Sequence, residues 1–73
     1  MKKRFFWARQ EVSHGPGELW SVFLHRFRTM EDRQLWMDKI MWAQVIGGED
    51  PEVRRIQRRI AQGEQISFPV EIG

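Results

Sequence analysis

Glycine and proline decide how long any regular element of this chain can run. Ser13-His14-Gly15-Pro16-Gly17, Gly47-Gly48 and Gly63 divide the chain into the segments that its regular elements must fit within. A cluster with two glycines and a proline continues neither, and a glycine pair behind an apolar stretch stops a helix. What remains between the breaks suits one small domain spanning all 73 residues, with residues 1–4 as a flexible basic arm. A chain of this size buries only about 60% of the surface it exposes when unfolded. Four tryptophans and five phenylalanines supply much of the apolar area such a core needs.

Local patterning predicts five elements. Residues 4–12 (RFFWARQEV) are short and aromatic and read as a strand. Residues 18–28 place Leu19, Trp20, Phe23, Leu24 and Phe27 on one arc at helical spacing, which predicts a first helix. Thr29 followed by Asp32 resembles a capping box and predicts that a second helix, residues 30–46, begins there. Its second half is apolar nearly all round, so either the core or a partner should cover it, Met37 and Met41 included. Asp50-Pro51 is an N-cap followed by proline at the first helical position, opening a third helix that runs to about Ala61 with Val53, Ile56, Gln57 and Ile60 on one face. In residues 65–72 Ile66, Phe68, Val70 and Ile72 alternate with polar residues, giving a half-buried strand whose Pro69 suits a sheet edge. The expected fold is α+β, in the order β-α-α-α-β: three helices beside a two-stranded sheet made by pairing the N- and C-terminal strands.

Charge is segregated. Residues 1–10 sum to +4, 11–53 to −4, 54–59 to +4 and 60–73 to −2. The chain has no cysteine, so a disulfide framework, a thiolate zinc site and a cysteine nucleophile are excluded. His14 and His25 have no second ligand three or four residues away, and Glu18-Leu19 follow the glycine turn where a phosphate-binding loop would need Lys-Ser/Thr. These patterns argue for a protein that is not an enzyme and uses no cofactor and no metal. No apolar run approaches the roughly 18 residues of a membrane span, and the basic start lacks a signal-peptide core. The expectation is a soluble cytoplasmic protein that does not engage a membrane.

Two clusters are candidate partner-binding surfaces. One is Lys2, Lys3, Arg4, Phe5, Phe6, Trp7 and Arg9, where cations and rings interleave as they do on nucleobases or at protein hot spots. Neighbouring strand residues point oppositely, so at least one of Phe5, Phe6 and Trp7 faces the helices and at least one faces elsewhere. The other is Arg54, Arg55, Arg58 and Arg59, uninterrupted by any acid; the planar fork of arginine suits phosphate and carboxylate.

Residues 39–58 resemble the helix-turn-helix of phage and bacterial repressors. Ala43 takes the small-residue position, Gly47 the turn, and Trp42, Ile46, Val53 and Ile56 the core positions. That resemblance implies sequence-specific DNA binding, with Arg54, Arg55 and Arg58 near the major groove. The sequence departs from the pattern at Gly48, and Glu49, Asp50 and Glu52 put negative charge where the recognition helix meets DNA. A tight helix–helix corner would use the same residues. In size, lack of cysteine, basic-aromatic start (MKKRFFWAR) and second basic cluster (RRIQRR), the whole chain resembles small bacteriophage proteins that bind host RNA polymerase, inhibiting initiation or acting as antiterminators. This resemblance implies a regulator docking on the large polymerase subunits, with nucleic acid nearby.

Overall fold

A computed structural model describes residues 4–73. The element order is β1 (Phe6–Val12), β2 (Ser21–Phe27), α1 (Met30–Met37), β3 (Ala43–Ile46), α2 (Pro51–Ala61) and β4 (Val70–Glu71). The strands form one four-stranded sheet in the order β3-β1-β2-β4, antiparallel throughout. The fold is α+β, but with two helices and four strands; the expectation of three helices and a two-stranded sheet is overturned.

Opposed residues of antiparallel strands share a face, so the register assigns each side chain. Trp7 lies across from Arg26 and Ile46, and Leu24 lies between Arg9 and Val70. This face packs on α2, where Trp7, Leu24, Val53 and Ile56 are buried together and Ile60, Ile66, Phe68 and Ile72 close the rim. The other face carries Phe6, Ala8, His25 and Phe27, with α1 against it: Trp36 lies 4.2 Å from the His25 ring and 5.5 Å from Phe27, centroid to centroid.

That double cover explains the first correction. Residues 18–28 are not a helix; their core is β2. A strand buried on both faces shows apolar residues at both parities, which hides the period of two and imitates a helical arc. The second correction concerns residues 30–46. Thr29 does cap a helix, accepting a hydrogen bond from Asp32 N–H at 3.0 Å, but that helix ends at Met37 and β3 follows. The chain reverses through Trp42, held at φ 63°, in the left-handed region that bulky side chains avoid. No glycine or proline marks the break. The helix-turn-helix reading loses its first helix here, because Ala43–Ile46 is a strand. The terminal strands do not pair with each other: β1 lies between β2 and β3, and β4 pairs with β2. Of residues 65–72 only Val70–Glu71 is strand, though Ile66, Phe68, Val70 and Ile72 do turn toward the core, and Pro69 does precede an edge strand.

α2 matches its sequence signals closely. Asp50 accepts from Glu52 N–H at 2.8 Å, Pro51 opens the helix, and Gly63 at φ 95° lies just past its end. Asp50→Ala is expected to lower unfolding free energy by about 1 kcal/mol, with Asp50→Ser close to wild type; urea titration measures both.

Candidate functional site

The N-terminal basic-aromatic cluster is divided between the two sheet faces. Lys2 and Lys3 lie outside the described residues. Trp7 is 2% exposed and belongs to the core. Phe5 is half-buried on the α2 side, where the Arg26 guanidinium sits between the Phe5 and Phe68 rings, 4.4 Å from each centroid. Phe6 is half-buried on the α1 side, with the Arg33 guanidinium 5.4 Å above it. Phe5 and Phe6 thus lie on opposite faces of the sheet, each partly exposed and each beneath a guanidinium. Arg4 is exposed and lines an open groove of about 530 Å³ with Phe6, Met30, Arg33, Val45 and Glu49.

The arginines divide in the same way. Arg9 pairs with Glu11 at 2.7 Å and Arg55 with Glu52 at 3.1 Å. Arg59 grips Glu64 through two bonds of 2.6 and 2.5 Å. The hydrogen bond from Arg59 holds the Glu64 carboxyl below its usual range, and Glu64 in turn raises the guanidinium. Arg54 and Arg58, one helical turn apart and exposed, have no carboxylate within 4.0 Å among the described residues. The basic face of α2 is therefore narrower than its sequence suggests.

The most open apolar surface lies elsewhere. Trp20 stands immediately before β2 and Trp42 immediately before β3, so both reach the sheet end where β1 finishes. Their rings meet edge to face at 6.1 Å, yet Trp20 is 45% and Trp42 65% exposed. Leu19 at 90% and Met41 at 77% extend the patch. An indole held at positive φ and left in solvent is doubly unfavourable for folding alone, a pattern that strained functional positions share. Met41 and Trp42 belong to a stretch whose apolar residues call for cover by the core or a partner, whereas Leu19 and Trp20 read from sequence only as one arc of a helix. Their one signal was excess: the stretches holding Leu19-Trp20 and Met41-Trp42 carry more apolar side chains than a core this small encloses.

His25 lies on the α1 face. Its Nε2 is 2.7 Å from Gln10 Oε1, and burial pushes its pKa below 6.5. The unfolded chain therefore binds more protons than the native one once pH falls below about 6.5. Stability should fall on acidification from pH 7.5 through that point and level off below the native pKa. Thermal unfolding at pH 7.5 and 5.5 should show the drop, and His25→Gln should flatten it. The Arg59–Glu64 pair contributes in a separate window, as pH falls below about 4.5.

Among the described residues no helix is long and apolar enough to cross a membrane. Comparison with protein-family models, curated proteins and solved structures finds no match.

Proposed function

We propose that this chain is a non-enzymatic transcription regulator that docks on the large subunits of bacterial RNA polymerase and inhibits initiation or antiterminates. The observation that carries the docking part is the open Trp20–Trp42 pair with Leu19 and Met41 beside it. Tryptophan and arginine are the residue types that dominate binding energy at protein interfaces, and clustered exposed rings are where such energy concentrates. Arg54 and Arg58 add exposed positive charge that speeds encounter with an acidic surface. The choice of polymerase rests on the resemblance of MKKRFFWAR, RRIQRR and the overall charge pattern to phage-encoded polymerase regulators.

The test is binding of the purified chain to core polymerase without nucleic acid, followed by affinity capture from a nuclease-treated bacterial lysate. The expected result is a complex that forms without DNA and survives nuclease. Binding only to duplex DNA, or no polymerase in either assay, would overturn the proposal.

A further inference from the structure

β3 is an outer strand, and the ladder on its inner side reveals what its other side offers. Glu11 N–H donates to the Trp42 carbonyl at 3.0 Å. The two residues continue the register Gln10–Ala43, Arg9–Gln44, Ala8–Val45, Trp7–Ile46. Hydrogen-bonded and non-hydrogen-bonded pairs alternate in an antiparallel ladder. Gln44 and Ile46 therefore turn their backbone groups toward β1, whereas Ala43 and Val45 turn theirs outward. No turn, cap or loop hydrogen bond among the described residues uses those outward groups. The Val45 side chain is 54% exposed, and residues 43–46 contain neither charge nor proline, the usual devices that blunt an edge. The opposite edge is treated differently: β4 has only two residues and Pro69 precedes it.

We infer that the β3 edge is closed by the same edge of a second copy of this chain, antiparallel about a two-fold axis at Val45. A two-fold axis normal to the sheet keeps each face on its own side, so only residues of like parity oppose one another. With Val45 at the axis, Val45 meets its own counterpart as a hydrogen-bonded pair, and Ala43 meets Gly47 of the second copy. The Gly47 carbonyl already accepts from Asp50 N–H at 3.1 Å, so its N–H is the group that reaches the Ala43 carbonyl.

Complementarity with itself selects a second copy as the occupant. Each copy offers the donor and acceptor of Val45 at the axis with the Ala43 carbonyl and Gly47 N–H on either side, and residues 43–47 bring no charge that a second copy would repel. An edge this short buries less than the roughly 1,200 Å² of a tight complex, so the association is weak and concentration-dependent. It does not depend on the polymerase reading.

Sedimentation of the wild-type chain from about 10 µM to about 1 mM spans the range where so small an interface becomes populated. The mean mass is expected to rise from 8.8 kDa toward twice that value. Val45→Lys sets two ammonium groups against each other at the axis and is expected to weaken association about tenfold, with unfolding unchanged. The absence of cysteine permits a test of register. Val45→Cys counterparts would lie about 5.5 Å apart between Cα atoms, within disulfide reach, whereas Gln44→Cys counterparts would be offset beyond about 7 Å. Rapid cross-linking of Val45→Cys but not Gln44→Cys supports the inference. The reverse pattern overturns the register, and a constant 8.8 kDa overturns the second copy. A constant mass together with lost polymerase capture in Val45→Lys would assign the edge to a polymerase strand instead.

Discussion

Leu24→Ala is expected to cost about 3–5 kcal/mol of unfolding free energy, the range for truncating a fully enclosed leucine. Leu24 is 0% exposed at the middle of β2, and it touches the cluster of Trp7, Val53 and Ile56 that joins sheet to helix. A chain of this length has about 4–11 kcal/mol in total, so the variant should lose much of its folded population near body temperature. Leu19→Ala is the matched control: at 90% exposure it should change stability by less than about 0.5 kcal/mol. A helix over residues 18–28 would have put both leucines on one buried arc and made the two losses similar. Urea unfolding of the pair therefore tests β2 itself, and equal losses would refute it.

The largest functional effect is expected at Trp20 and Trp42. Replacing both with alanine should weaken partner binding by about two to three orders of magnitude, since each anchor ring at a protein interface contributes on the order of 2 kcal/mol and adjacent anchors are not additive. Trp42→Gly separates binding from folding. Glycine adopts the left-handed backbone that Trp42 occupies at φ 63° without steric conflict, so removing this ring should leave stability equal or higher while affinity falls. Arg54→Ala with Arg58→Ala should instead slow association and reduce its salt dependence, with little change in dissociation. Biolayer interferometry against core polymerase, the partner proposed above, reads all three. Wild-type affinity in the folded double-tryptophan variant would remove this patch as the anchor.

The sequence was legible where a single local signal decides the structure. Asp50-Pro51, Gly63, Thr29 with Asp32, and Val53, Ile56 and Ile60 depend on chemistry within one or two turns and appear in the structure as read, while Gln57, read on the same face, is exposed. The N-terminal strand was legible because aromatic residues crowd it. β2 was not, because Phe23 and Phe27 face α1 while Leu24 faces α2, and such cover depends on residues far away in sequence. β3 was concealed because Trp42 adopts a conformation usually signalled by glycine or asparagine. The charge state of the candidate surfaces was legible only in part for a related reason. Side chains counted as free cations found carboxylates two, three and five residues away, as in Arg9–Glu11, Arg55–Glu52 and Arg59–Glu64. Spacing alone does not show which of several nearby acids a long side chain will reach.

The middle position of β1 has a consequence for the order in which the molecule assembles. Trp7 is synthesised before the apolar residues of its cluster, from Leu24 and Ile46 through Val53 and Ile56 to Phe68. A nascent chain that has passed residue 27 can form only a bare two-stranded ribbon, too small to persist in water. Enclosure of the Trp7 face therefore waits for α2, and until then Trp7 and Leu24 stand open to water on the β1–β2 hairpin.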